Sequence, residues 1–161
     1  MSDHTLSRPS SSLPGRSFAI VASEYNPLYV QGLIDAVRGE LAQLSPGAEV
    51  ALHRVPGAFE IPVVVQEVAH EGKAEAIIAL GVIIRGGTAH ADLIGQCVTD
   101  SLQKIALQFR TPVIHEVLLV ADEVQARART LEGGKNRGVE AARAAVRVLQ
   151  ALDGFPERRN A

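Results

Sequence analysis

The chain predicts an α/β domain in which helices cover both faces of a parallel sheet, and two observations carry that prediction. From Ser17 onward, short β-branched or apolar runs alternate with longer segments of helical period, as repeated βαβ units require. The clearest run, AIIALGVI at 76–83, is apolar without interruption, as expected of a strand buried on both faces. Strands are expected over 17–22, 49–54, 76–83 and 113–120. Helices are expected over 28–44, 60–70, 92–108, 123–131 and 137–152. In the third helix the apolar positions Leu93, Ile94, Cys97, Val98, Leu102 and Ile105 recur three and four apart. Turn chemistry agrees: Ser45-Pro46-Gly47 and Glu71-Gly72-Lys73 end helices, and Pro112 marks entry to the last strand. Right-handed crossovers then place helices on the two sides of the sheet.

Composition limits the function classes. With 161 residues, 47% hydrophobic and 21% charged, the chain fits one globular domain. A formal charge of -2 leaves no basic excess for a nucleic-acid backbone, and no polybasic run or long apolar span points to a membrane. Cys97 is the sole cysteine, which excludes disulfide scaffolds and cysteine-based zinc sites within one chain and makes the cytoplasm the expected setting. Residues 1–16, rich in Ser, Pro and Gly, read as a mobile arm or a loosely draped segment, and 17–161 as a single domain.

In an open parallel sheet, ligands gather at the carboxyl ends of the strands. The first strand ends in Ser23-Glu24-Tyr25-Asn26-Pro27, where Tyr25 can stack on a planar ring or be an ordinary loop aromatic, and Asn26 can turn the chain. After the second, Val55-Pro56-Gly57-Ala58-Phe59-Glu60-Ile61-Pro62 bends sharply before a helix; Glu60 suits a helix cap as well as a hydroxyl-rich or amide ligand, and Phe59 suits core or stacking wall. The third ends in Arg85-Gly86-Gly87-Thr88-Ala89-His90. A glycine-softened turn onto a helix start offers backbone N–H groups and a hydroxyl to an anion. His90 at that helix start either caps it or, as a neutral imidazole, accepts a proton and later returns it. Arg85 reads equally as a surface ion-pair residue. The fourth strand brings His115 and Glu116, followed by Arg127, Arg129, Lys135 and Arg137 around a glycine-rich bend; such charges are often solvated faces.

Familiar phosphate-loop, dinucleotide, nucleophile-elbow and HExxH patterns are absent from the sequence. Three lysines and a cysteine within an apolar helix stripe leave a covalent enzyme nucleophile hard to place. Chemistry in such a chain relies on the substrate's own nucleophile.

Together Tyr25-Asn26, VPGAFEIP at 55–62, LGVIIRGGTAH at 80–90 and Asn136-Arg137-Gly138 before an alanine-rich helix resemble the 6,7-dimethyl-8-ribityllumazine synthase family, over nearly the whole span 18–152. The resemblance implies a flavodoxin-like three-layer α/β/α sandwich with a four-stranded parallel sheet. It also implies an enzyme of the transferase class, without cofactor or metal, that condenses 5-amino-6-(D-ribitylamino)uracil with 3,4-dihydroxy-2-butanone 4-phosphate in riboflavin biosynthesis. Carried over by motif, the pyrimidine and ribityl site falls on Tyr25, Asn26, Ala58, Phe59, Glu60, Ile61, Val82, Ile83, Ile84 and His115. The phosphate site falls on Gly87, Thr88, Arg129 and Arg137, with His90 and Arg129 as the catalytic pair.

Two features depart from the family's commonest pattern. His115-Glu116 stands where many members have Phe-Gly, and Arg137 stands where they have Lys, a change in geometry and hydration as well as length. His115 can still stack but adds a titratable group. The resemblance further implies a homopentamer with active sites between subunits, His115 and Arg129 reaching in from a neighbour, and in some members a shell of sixty chains that can enclose riboflavin synthase. Pro9 and Pro14 weaken an N-terminal edge strand that could help join neighbours. The alternatives are a paralogue that binds lumazine or flavin without turnover and a purely structural shell protein; the latter has no need of the Gly87-Thr88, His90 and Arg129 set.

Overall fold

A computed structural model describes residues 5–155. Four parallel strands, β1 (Ser17–Ser23), β2 (Glu49–Val55), β3 (Ala76–Ile84) and β4 (Val113–Val120), form one sheet in the order β2-β1-β3-β4. The helices are α1 (Pro27–Leu44), α2 (Ile61–Glu71), α3 (His90–Phe109), α4 (Glu123–Thr130) and α5 (Arg137–Leu152), with a single 3₁₀ turn at Ala58–Glu60. Each expected element is present, its ends displaced by no more than two residues. This is the flavodoxin-like three-layer arrangement.

The alternation of side chains along β1 builds both cores. Phe18, Ile20 and Ala22 face α1, α4 and α5, joining Leu33, Ile34, Ala126 and Val146. Ala19 and Val21 face α2 and α3, joining Ile61, Val65, Val98 and Leu102. β1 pairs with β2 on one side and β3 on the other. Its backbone groups are therefore satisfied in the sheet, and its side chains are free to be apolar.

The alanine-rich α5 packs closely on α1, as its small side chains allow. The approach is closest at Gly138, where an added Cβ would lie 2.5 Å from the Leu33 carbonyl oxygen and 2.9 Å from the Ala36 Cβ. Asn136 locks the same joint. Its Oδ1 accepts from the Gly138 N–H at 2.8 Å and its Nδ2 donates to the Thr130 carbonyl at 2.6 Å, so one side chain caps α5 and holds the end of α4.

Residues 5–16, expected as an arm, run over α1 and α5. Leu13 N–H donates to the Leu44 carbonyl at 2.8 Å, the Leu6 carbonyl accepts from Arg143, and Arg8 and Arg143 converge on the buried Glu40. Hydrogen bonding from Arg8, with Arg143 adding to it, holds the Glu40 carboxyl below its ordinary range despite burial. Residues 1–4 of that arm and 156–161 of the expected domain lie outside the described residues.

Two glycines make a matched test of helix packing. Gly138→Ala meets backbone and is expected to destabilise the fold by about 1–3 kcal/mol. Gly39→Ala, on an α1 face with nothing within 4 Å of the new Cβ, is expected to stabilise it by about 0.5–1 kcal/mol. Urea unfolding midpoints of the two variants, moving in opposite directions, check the assignment.

Candidate active site

Returning from β2 over β1 to start β3 makes the junction between β1 and β3 a topological switch point, where loops diverge and leave a crevice. A cleft of about 710 Å³ opens there, at the carboxyl ends of β1, β2 and β3. Its walls come from Tyr25 and Asn26, from Gly57 to Glu60, from Val82 to Ile84, and from one face of α3.

Local hydrogen bonds make the loops into walls. The Glu24 N–H donates to the Val55 carbonyl at 2.8 Å and the Tyr25 N–H to the Pro56 carbonyl at 3.3 Å, which ties the first two strand ends together. Asn26 adopts the left-handed conformation with φ 56°, which asparagine tolerates, and Pro27 then opens α1. The turn aims Asn26 Nδ2 at the Val82 carbonyl, 2.8 Å away on β3. Tyr25 itself remains 71% exposed and Phe59 60% exposed, two large rings on the rim with open faces.

Glu60 caps its own turn: Oε2 accepts the Gly57 N–H at 2.9 Å while the Glu60 N–H donates to the Gly57 carbonyl. The capping role is thus real, and the residue still lines the cleft. Ile61 is fully buried and belongs to the core beneath. Val82 is also mostly core, touching the cleft at the end of its strand.

The loop after β3 is exposed from Arg85 to His90. Arg85 Nη2 meets Asp92 Oδ1 at 2.6 Å, bridging the Gly-Gly-Thr turn, so the ion-pair reading of Arg85 holds. The His90 N–H donates to the Thr88 hydroxyl at 3.5 Å at the start of a 20-residue helix whose N-cap residue, Ala89, supplies no side-chain hydrogen bond. That start is positively polarised and rich in backbone donors. His90 projects from it into the cleft lining.

Ser23, Leu93, Ile94 and Cys97 complete the lining and escape the sequence reading. The last three follow the apolar stripe of α3, where a core role is the natural assumption. Of the six stripe positions, Val98, Leu102 and Ile105 are the buried ones, joined by Ala91 in the first turn. Spacing holds the missed signal: Leu93, Ile94 and Cys97 stand three, four and seven positions after His90, on the face that presents it.

Six expected residues are not on the cleft lining: Ile61 in the core, Gly87 and Thr88 in the exposed turn before α3, and His115, Arg129 and Arg137 on β4, α4 and α5. His115 lies on β4, its Nε2 2.7 Å from Thr99 Oγ1 and its Nδ1 accepting the Val117 N–H at 3.2 Å. Since Nδ1 accepts, the neutral ring carries its proton on Nε2. Burial pushes its pKa below the ordinary value, so this titratable group stays neutral at pH 7. Arg129 is half-buried on α4, which packs through Ala126 into the core on the other side of the sheet.

Arg137 is committed elsewhere. Its Nε and Nη2 donate to the two carboxylate oxygens of Glu116 at 3.2 and 3.1 Å, and its Nη1 pairs with Glu140. The two departures from the family's common pattern therefore form a single pair: a carboxylate enters β4 where glycine is common, and an arginine fork takes both its oxygens. Burial pushes the Glu116 carboxyl up to about 7 against the pull of Arg137.

A parallel-sheet protein with a cleft at its switch point, aromatic rings on the rim and a histidine at a polarised helix start belongs to the class of α/β folds that hold small molecules at their strand ends. The family model for 6,7-dimethyl-8-ribityllumazine synthase matches residues 15–153, and the chain belongs to that family. A relative carrying that name in Paraburkholderia phymatum is 41% identical over 144 residues, 87% of this chain and 83% of its own. Relatives of the same name in Halorhodospira halophila and Burkholderia multivorans are 38% and 40% identical, covering 84% and 86% of this chain and 87% and 81% of theirs.

Glu116 gives a pH signature. The folded chain holds its proton more tightly than the unfolded chain, whose carboxyl keeps the ordinary value of 4.5. Stability contributed at this site is therefore fully present below about 4.5 and lost as pH rises through about 7. Urea unfolding at pH 5 and pH 8 is expected to show a fall in the wild type that exceeds the fall in Glu116→Gln by up to about 3 kcal/mol.

Proposed function

We propose that this protein condenses 5-amino-6-(D-ribitylamino)uracil with 3,4-dihydroxy-2-butanone 4-phosphate to give 6,7-dimethyl-8-ribityllumazine, phosphate and water. The observation that carries the reading is His90 beside the uncapped start of α3, on the lining of a cleft rimmed by Tyr25 and Phe59. One wall suits a flat heterocycle, and the polarised helix start suits a phosphate. The histidine is the first residue of that helix and lines the same cleft as the two rings.

The chemistry asks little of the protein. The pyrimidine's amine attacks the ketone, water leaves as the imine forms, phosphate is eliminated, and the ring closes with loss of a second water. His90 shuttles protons; Gly87 and Thr88 bind the phosphate. Tyr25, Ala58, Phe59, Glu60 and the ends of Val82, Ile83 and Ile84 position the pyrimidine and its ribityl chain. Holding two reactants in line supplies much of the acceleration, and neither cofactor nor metal enters.

The site is completed by a second copy. Exposed Tyr25, Phe59 and Leu93 leave an apolar rim that a neighbour can cover. Arg129, with its helix on the other layer of its own chain, is available to reach the phosphate in the next subunit's site, and His115 comes to the neighbouring pyrimidine in the same way. A homopentamer provides this arrangement; closure into a sixty-chain shell around riboflavin synthase would be built from it. The reaction takes place in the cytoplasm, consistent with a free Cys97 and with no described helix long and apolar enough to cross a membrane.

Mixing both substrates with the protein and following lumazine fluorescence and inorganic phosphate together tests the function. Parallel, enzyme-dependent release of both is expected. Ligand binding without acceleration assigns the chain to the non-catalytic paralogues instead. His90→Ala is expected to lower kcat roughly ten- to a hundredfold while retaining substrate affinity, because proximity remains. Arg129→Ala is expected to raise KM for the phosphorylated substrate roughly tenfold or more, with a smaller effect on the pyrimidine. Sedimentation under assay conditions should show a pentamer or a larger assembly of pentamers. An active, stable monomer removes the shared site.

A further inference from the structure

The floor of the cleft carries a hydroxyl that no group among the described residues binds. Ser23 ends β1 on the face toward α2 and α3, is 1% exposed, and lines the cleft. Its Oγ is buried without a hydrogen-bond partner. The other polar side chains at the inner end are engaged: Asn26 donates to the Val82 carbonyl, and Glu60 accepts from the Gly57 N–H. A buried hydroxyl without a partner carries a desolvation penalty that an alanine would avoid, and most native polar groups in that position are satisfied. At a cleft floor, a ligand atom can supply the missing partner.

The surroundings select the kind of atom. Beside Ser23 lies Gly81, where an added Cβ would come 3.1 Å from Oγ, 3.2 Å from Val117 and 3.3 Å from Ile61. The neighbourhood is apolar and narrow. Among the described residues no lysine or arginine lines the cleft, so an anionic phosphate at this depth would be desolvated without a counter-charge from them. A polyol chain needs several partners, and here there is one. What fits is the edge of a flat ring that presents one carbonyl oxygen or ring N–H to this point, since a hydroxyl can donate to the first or accept from the second.

We propose that Ser23 is a specificity-determining residue whose hydroxyl hydrogen-bonds a heteroatom on the edge of the heterocyclic substrate. The assignment rests on the reading of the cleft as a lumazine-forming site and adds to it the residue that recognises the ring edge. A ring lacking that heteroatom leaves the hydroxyl unpaired and is rejected.

Ser23→Ala tests this, because it removes the hydroxyl without breaking a hydrogen bond within the chain. Three measurements on the assembled protein suffice: fluorescence titration with 6,7-dimethyl-8-ribityllumazine, KM for each substrate, and the urea midpoint. The expected result is a roughly tenfold loss of lumazine affinity and a similar rise in KM for the pyrimidine. KM for the butanone phosphate should be unchanged and the urea midpoint equal or higher. Equal lumazine affinity in wild type and variant overturns the proposal, and water is then the partner of Oγ. A lowered midpoint with both substrates weakened alike also overturns it, as a structural role would produce. A wild type that binds lumazine in a Ser23-dependent way but does not turn over both substrates upholds the ring contact and removes the catalytic reading; a wild type that binds no lumazine removes both.

Discussion

Two-sided pairing of β1 is the constraint on which the rest of the structure depends. With β2 on one edge and β3 on the other, β1 is buried from Phe18 to Ser23, and the chain must cross over it to begin β3. That crossing leaves three strand ends side by side with their loops turned apart. The cleft follows from sheet topology, and the residues that line it come from positions more than seventy apart in the chain. The backbone bonds from Glu24 and Tyr25 to the β2 end, and from Asn26 to the β3 end, keep the gap from collapsing.

Polar groups are distributed unevenly around this gap. Near the sheet, nearly every one is spoken for, and the exception is the Ser23 hydroxyl. At the mouth, the helix start after Gly86-Gly87-Thr88 offers donors with no capping side chain. A molecule with a flat ring at one end and an anion at the other fits that gradient, and aromatic faces on the rim add contact area without charge. Around the half-open cleft the large apolar side chains Tyr25, Phe59 and Leu93 remain exposed.

On the opposite side of the sheet, Glu116, Arg137 and Glu140 turn what looks like site chemistry into a structural strut. An arginine read from its motif as a phosphate ligand spends its donors on two carboxylates of its own chain. The buried Glu116 would be costly alone, and Arg137 offsets part of that cost. Together with Asn136, which caps α5 and grips the end of α4, the pair holds the α4–α5 joint close behind Arg129. The strut joins β4 to α5, so changes at Glu116 and Arg137 are expected to be coupled.

How much was legible in the sequence follows from the range of the physics involved. The strands read at 76–83 and 113–120, the helix starts read near 28, 92 and 137, and the turn at Asn26 are local: hydrophobic period, proline, glycine and caps decide them over a few residues. Tyr25, Glu60 and His90 were visible for the same reason, since strand ends in a parallel sheet point to one edge. What the sequence determined by itself is therefore the layered α/β architecture and the chemical vocabulary of its strand ends. Only the tertiary structure decided that Leu93 and Cys97 stay exposed on the cleft wall while Ile94 lines it from the edge of the core, that Glu116 and Arg137 meet, and that the Ser23 hydroxyl finds no partner among the described residues. Each of these depends on which side chains from distant segments come within a few ångströms, a matter of packing across layers that no local pattern encodes.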